Sequence, residues 1–408
     1  MQNEIFLIKI SGEDKPGLTS AVTSILAENN INILDMGQAV IHNTLSLGIL
    51  AEFPAENEPN RSVLKDLLFK AYTQHIHIDF EIVTPESYSQ WVNLQGKDRY
   101  IITMLAEKIT ARQISEVTEI IYKQGLNIDL ITRLSGRVPL SEDENHHHAK
   151  SCIELSVRGK PTDIQQVTAG FLEISQNYGL DIAFQKDDIF RRNRRLVCFD
   201  MDSTLIQTEV IVELARKHGV GDKVHEITES AMRGEIDFKE SFRRRVALLE
   251  GLSEDVMQDI ADNLPITDGA DRLIAQLKAL GYKIAILSGG FTYFGKALQN
   301  RFGLDYVFAN ELEIKDGKLT GKHLGEIVDG ERKAFLLKTL AEKEGIQLEQ
   351  VIAVGDGAND LPMLKLAGLG IAFHAKPIVK KSASHSISTV GLDGILYLLG
   401  LRDRDINF

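Results

Sequence analysis

From Leu196 onward, short and almost wholly apolar runs alternate with stretches of helical periodicity, a grammar that permits few folds. The runs are Leu196–Phe199, Lys283–Leu287, Tyr306–Ala309, Val351–Val354 and Gly370–Ala372. A strand that is apolar on both faces has to be covered on both, so these runs predict a three-layer α/β arrangement with a central parallel sheet. Before the second run, Ala270, Leu273, Ile274, Leu277 and Leu280 form a helical stripe, with Asp268 expected to cap its start and Gly281 its end. About 65 residues of amphipathic helix without strand signal lie between the first run and that helix, too many for a connection, which predicts a helical cap inserted over Glu209–Asn263.

The first ~185 residues read as two copies of strand-helix-strand-strand-helix-strand, each a small α+β domain of ferredoxin-like form, expected over 1–86 and 97–187. In the first copy Ile5–Ile10 begins the sheet, Leu18, Val22, Ile25 and Leu26 share a helical face, Ile31–Met36 and Leu45–Phe53 make the hairpin, and Ile76–Val83 closes it. The second copy runs from Tyr100–Leu105 to Leu180–Gln185, with a long polar hairpin loop. That loop holds His146, His147 and His148, whose adjacent side chains diverge and lack paired ligand spacing, so solvation is expected. Arg191–Arg195 reads as a linker separating the repeats from a catalytic domain over 188–408.

With 46 Lys+Arg against 58 Asp+Glu, the net charge of -12 opposes broad attraction to nucleic acid or anionic membrane, so neither is expected as a partner. Neither a signal-peptide pattern nor an apolar run of membrane-spanning length is present, and a cytoplasmic protein is expected. The two cysteines, Cys152 and Cys198, sit in apolar runs and read as reduced core thiols.

Ligands bind beyond the carboxyl ends of parallel strands, and four of these ends carry reactive residues. After the first stands Asp200-Met201-Asp202-Ser203-Thr204, where one carboxylate can attack phosphorus and the other handle a proton. Ser288-Gly289-Gly290 follows the second, offering a hydroxyl and close backbone N–H groups to phosphate oxygens. Lys333 lies ahead of a helix as a point charge for a phosphoryl group, and Gly355-Asp356-Gly357-Ala358-Asn359-Asp360 supplies a carboxylate for a metal shared with Asp200.

In this order and spacing the four segments, over residues ~196–400, resemble the motifs of the haloacid dehalogenase-like hydrolases, whose fold is Rossmann-like, and the insert looks like the cap of phosphoserine phosphatases. The resemblance implies Asp200 as nucleophile and Asp202 as acid and base, with Ser288, Gly289 and Lys333 on the phosphate. It places Mg²⁺ on Asp200, Asp356 and the backbone carbonyl of Asp202, with Asp360 behind, and Glu209, Met232, Phe238, Arg245 and Asn359 around phosphoserine. A zwitterionic substrate needs a cation for its carboxylate and an anion for its ammonium, and Arg245 and Glu209 are of those types. The expected activity is hydrolysis of O-phosphoserine through an aspartyl-phosphate, the last step of serine biosynthesis.

The amino-terminal repeats resemble ACT domains, which bind amino acids and mediate association. Gly12-Glu13-Asp14-Lys15-Pro16-Gly17-Leu18 matches that family's first loop, which makes Asp14 and Asn32 candidate effector ligands, L-serine the candidate effector and a homodimer the expected assembly. The second copy has Ala106-Glu107-Lys108-Ile109-Thr110 there and departs from the pattern. A live enzyme acting on another phosphomonoester, or moving phosphate to another alcohol, is the main alternative, and two further rivals fit the residues less well. Gly290–Ala297 nearly fits a nucleotide-binding P-loop, but Ala297 lacks the hydroxyl that would meet Mg²⁺. A sensor with a dead phosphatase domain would be expected to have lost a catalytic group, whereas Asp200, Asp202, Lys333 and Asp356 all stand.

Overall fold

The structure is a computed structural model that describes residues 3–54, 59–94, 98–137 and 150–406. His146, His147 and His148 fall outside the described residues. The chain divides into two compact units, Met1–Lys97 and Asp98–Phe408.

In the first unit β1 (Glu4–Glu13), α1 (Leu18–Glu28), β2 (Asn32–Ile41), β3 (Thr44–Phe53), α2 (Pro59–Gln74) and β4 (His77–Val83) form an antiparallel sheet in the order β2-β3-β1-β4, followed by α3 (Pro85–Leu94). Alternation decides its faces: Phe6, Ile8 and Ile10 point to the helices and meet Leu47, Ile49 and Ala51, while Leu18, Val22 and Leu26 of α1 cover them. Edge strand β2 has no buried residue, and Ile33, Met36, Val40 and Ile41 are exposed along it.

The second unit opens with the same plan. β5 (Arg99–Ala106), α4 (Ala111–Lys123), β6 (Asn127–Arg133), β7 (Ser151–Arg158), α5 (Ile164–Tyr178) and β8 (Asp181–Lys186) give the order β6-β7-β5-β8, so the repeat read from the sequence is a repeat of topology. The rest of the unit comprises β9 (Leu196–Phe199), α6 (Val210–His218), α7 (Gly221–Met232), α8 (Phe238–Ala247), α9 (Glu254–Asp262), α10 (Ala270–Ala279), β10 (Lys283–Phe291), α11 (Thr292–Phe302), β11 (Tyr306–Lys315), β12 (Lys318–Leu324), α12 (Gly330–Lys343), β13 (Val351–Gly355), α13 (Leu361–Leu366), β14 (Leu369–Phe373), α14 (Pro377–Ser382), β15 (His385–Ile387) and α15 (Ile395–Leu398). Its sheet runs β12-β11-β10-β9-β13-β14-β15, parallel except for the β11–β12 pair. Consecutive strand residues enter opposite layers, as a doubly covered sheet requires: Val197, Phe199, Ile284, Ile286, Ile352 and Val354 fill one, Leu196, Cys198, Ala285, Leu287, Val351 and Ala353 the other.

Two local expectations need correction. Gly269, at φ 80°, and not Asp268, is the N-cap of α10, because a Cβ there would fall 2.2 Å from Asp393 Oδ1; Gly281, at φ 77°, follows the C-cap Leu280 in the expected left-handed conformation. Arg191–Arg195 does not separate two bodies. Arg191 and Arg194 are buried, the first paired with Glu154 of β7, the second donating to Gln185 Oε1 and Glu349 O. Other bonds cross the same junction: Gln185 Nε2 donates to Leu398 O, Gly136 N to Asp403, and Lys150 pairs with Asp393. The second repeat is thereby part of the unit that carries the parallel sheet. Sequence patterning also missed the extension of β11 into an antiparallel hairpin with β12, which reaches the insert through Gly251 N to Leu319 O and Glu254 N to Gly317 O.

Candidate active site

β9 delivers Asp200 to the carboxyl edge of the sheet between β10 and β13, and the backbone holds it there through Asp200 N to Val354 O at 2.8 Å. Its Oδ1 accepts from Met201 N at 2.7 Å and lies 2.9 Å from Lys333 Nζ. Both contacts fall on one oxygen, and the other has no donor among the described residues. Lys333 is fully buried and also donates to Asp360 Oδ1 at 2.6 Å. Burial alone would lower its pKa; the Asp200 and Asp360 charges outweigh burial and raise it, so the lysine stays cationic.

Asp202 is two residues on, where the chain turns toward the insert. Its Oδ1 accepts weakly from Val210 N at 3.4 Å, the first residue of α6. Desolvation, and then the Asp200 charge, holds the carboxyl well above the usual carboxylate range. Two carboxyl groups on one loop are thus set apart, one paired with an ammonium and the other pushed toward its protonated form. The approach requires a glycine opposite: a Cβ on Gly290 would stand 2.7 Å from Asp202 Oδ2 and 3.2 Å from Ser288 Oγ. Ser288, fully buried, accepts from Gly290 N at 3.0 Å.

Asp200, Asp356 and Asp360 each offer a carboxylate oxygen within 4.8 Å of the others. Asp360 is committed to Lys333 and to Gly357 N at 2.9 Å, whereas Asp356 accepts at the limiting distance of 3.5 Å from Thr204 Oγ1. Burial first, and Asp200 second, raises Asp356 to about 6. Three carboxylates gathered this closely are the oxygen donor set of a hard divalent cation, and these residues fit one.

The insert brings Phe238, Arg245 and Glu209 toward this centre. Phe238 opens α8 over the glycine turn, where a Cβ on Gly289 would lie 3.2 Å from Phe238 Cζ, and it stacks on Phe242 at 6.5 Å. Arg245, two turns along the same face of α8, is half-buried; burial lowers its pKa, while the Glu209 and Asp202 carboxylates act in the opposite sense, which puts all three groups in one field. Glu209 is the N-cap residue of α6, yet its side chain makes no capping bond. Met232 ends α7, and its side chain lies outside the described residues. Asn359 sits in the turn between Asp356 and Asp360.

In the first unit Asp14 lines a cavity of about 350 Å³ with Lys15, Pro16, Gly17, Thr19 and Gln38. Asn32 is not brought to it. Its amide donates to Glu52 Oε2 at 3.2 Å on the surface.

Asn310 was missed in the sequence. Its Nδ2 donates to Gly289 O at 2.8 Å and its Oδ1 accepts from Val328 N at 2.8 Å, tying the glycine turn to the segment before α12. It directly follows the apolar run Tyr306–Ala309, so the strand-end rule applied to the other runs would have found it.

Carried by this sheet beneath an inserted helical cap, the site is that of a haloacid dehalogenase-like hydrolase, and residues 194–368 match that family. Residues 4–81 match the ACT domain. A phosphoserine phosphatase of Streptomyces coelicolor is 38% identical over 402 residues, covering 98% of this chain and 93% of that protein, and one of Mycobacterium tuberculosis is 37% identical over 98% and 94%. Among solved structures, a probable phosphoserine phosphatase from Vibrio cholerae in unliganded form is 35% identical with a TM-score of 0.58, covering 74% of this chain and 86% of that one. The chain belongs to the phosphoserine phosphatase family.

Proposed function

We propose that this protein hydrolyses O-phosphoserine to serine and phosphate through an aspartyl-phosphate on Asp200, the last step of serine biosynthesis. The observation that carries the reading is the contrast inside the Asp200-Met201-Asp202 loop: Lys333 lies 2.9 Å from Asp200, while burial, and then the Asp200 charge, hold the Asp202 carboxyl well above the usual carboxylate range. Asp200 attacks phosphorus, the bond from phosphorus to the serine oxygen breaks, and the Asp202 proton passes to that oxygen. Asp202, now a carboxylate, takes a proton from water, whose oxygen attacks phosphorus and releases phosphate from Asp200. Lys333, Ser288 and the Gly289 backbone hold the phosphoryl oxygens throughout. A Mg²⁺ held by Asp200, Asp356 and the Asp202 backbone carbonyl, with Asp360 behind it, would neutralise phosphate charge. Glu209 takes the substrate ammonium and Arg245 its carboxylate, with Met232, Phe238 and Asn359 completing the pocket.

The second repeat, with the topology of the first, is read as a second ACT-like domain, and the domains as 1–86, 97–187 and 188–408. No helix among the described residues is long and apolar enough to cross a membrane, and the chain is read as cytoplasmic. The exposed apolar edge of β2 supports a homodimer through the ACT edges, and the cavity at Asp14 an amino-acid effector, most simply L-serine.

Turnover of phosphoserine, phosphothreonine and an aryl phosphate by the wild type and by Asp200→Asn tests the activity. Preference for phosphoserine, abolished by the substitution, is expected; equal efficiency on the aryl phosphate would refute the substrate, and an active Asp200→Asn the nucleophile. For the effector, deletion of residues 1–97 leaves the second unit whole, and serine inhibition unchanged by that deletion would refute an effector site in the first unit.

A further inference from the structure

Ser288 and Lys333 are fully buried and Asp200 is 5% exposed, and Phe238 of the helical insert lies against the Gly289 turn next to Ser288. The seam between insert and sheet therefore runs beside the phosphate-binding residues. Beside Phe238, which lies over the Gly289 turn, Lys239 crosses that seam: its Nζ is 3.0 Å from Asp329 Oδ2. Asp329 is the N-cap of α12, and its other oxygen accepts from Arg332 N at 2.9 Å. Lys333 is the next residue, bound to Asp200 and Asp360. One carboxylate thus touches the insert with one oxygen and the turn bearing the phosphate-binding lysine with the other. The turn also packs closely on the Asp356–Asp360 loop, since a Cβ on Gly330 would lie 2.7 Å from Asn359 O and 3.3 Å from Pro362 Cγ, so a shift of the turn is felt there.

We propose that Lys239 and Asp329 form a closure-sensing pair, in which the ion pair made on cap closure holds the first turn of α12, and with it Lys333, in place for phosphoryl transfer. Asp329 is then a positioning residue and Lys239 its partner; the inference rests on the phosphomonoesterase reading of the same site. Capping by itself needs an acceptor and no charge, and asparagine caps helices as well as aspartate does. The charge on Asp329 is therefore surplus to capping and matches the ammonium that faces it. The pair is partly exposed, 47% for the lysine side chain and 20% for the aspartate, which limits its worth to a small factor. A weak pair suits the role, because a strong one would hold the product in.

The test uses the full chain with Asp329→Asn, Lys239→Met, Lys239→Arg and the double variant Asp329→Asn/Lys239→Met. Both single charge-removing variants are expected to lower kcat/KM for phosphoserine by about two- to fivefold, the range of an exposed pair, with the melting temperature unchanged. The double variant should be no worse than either single, and Lys239→Arg should restore activity. Effects that multiply in the double variant, or a loss of activity that tracks a loss of melting temperature, would overturn the proposal. The same cycle run on an aryl phosphate keeps the two readings apart: non-additivity there with no turnover of phosphoserine would sink the substrate assignment and leave the pair standing.

Discussion

Asp181→Ala should unhinge the catalytic unit while leaving the first unit untouched. Asp181 opens β8 of the second repeat and is 4% exposed. Its carboxylate accepts from Ser388 N at 2.9 and 2.8 Å, from Thr389 N at 2.8 Å and from Thr389 Oγ1 at 2.6 Å, all just beyond β15 of the parallel sheet. Burial raises its pKa against the pull of those donors, so the carboxylate is costly to hold there. Alanine strands two backbone N–H groups at about 1–3 kcal/mol each, and recovery of the carboxylate's desolvation cost offsets part of that, for a net loss of about 2–3 kcal/mol. With an m-value of about 2–3 kcal/mol/M in urea, the midpoint for loss of activity should fall by about 1 M. The chain's single tryptophan, Trp91, belongs to α3 of the first unit and supplies a second probe whose midpoint should not move. An unchanged midpoint for activity would refute the idea that the second repeat is built into the catalytic unit, and parallel shifts of both probes would refute the independence of the two units.

The catalytic sheet was legible because its physics is local to each strand. Val351–Gly355 is buried at every position, so its apolar run could only be read one way, and the residue after such a run has nowhere to be but the ligand-binding edge. Asp200, Ser288 and Asp356 follow from that rule; Asn310 obeys it too and was passed over because an amide suggests no phosphate chemistry by itself. What stayed hidden depends on pairs distant in sequence. Asp181 and Thr389 lie 208 residues apart, and nothing in either neighbourhood announces the other. Arg191 and Arg194 misled for the same reason: a run of arginines reads as solvated until partners such as Glu154 and Gln185 come from other strands. Asp268 and Gly269 failed on a finer scale, since Asp is the commoner cap and only the crowding by Asp393 shows why glycine is needed.

Asp202→Asn should slow phosphoserine far more than an aryl phosphate whose leaving group needs no proton, and equal losses in the first half-reaction would refute the acid role. Arg245→Ala should cost about 1.5–3 kcal/mol in kcat/KM for phosphoserine and much less for an aryl phosphate; parallel losses would mean that the guanidinium meets phosphate or only packs. His385 sets an acid limit on stability. Burial lowers its pKa from 6.5 to about 4, although both ring nitrogens face carbonyls, Nδ1 toward Gly370 O at 3.4 Å and Nε2 toward Phe184 O at 3.2 Å. The unfolded chain binds a proton at this ring near pH 6.5 and the folded chain only near 4, so between those values the unfolded state holds more protons. Stability from this group is therefore intact above pH 6.5 and falls as the pH drops toward 4, by up to about 3 kcal/mol. Comparing His385→Asn with the wild type cancels every other titration, so the variant's melting temperature should fall less steeply over that interval. Identical slopes would mean that the ring takes up its proton as readily in the folded protein as in the unfolded chain.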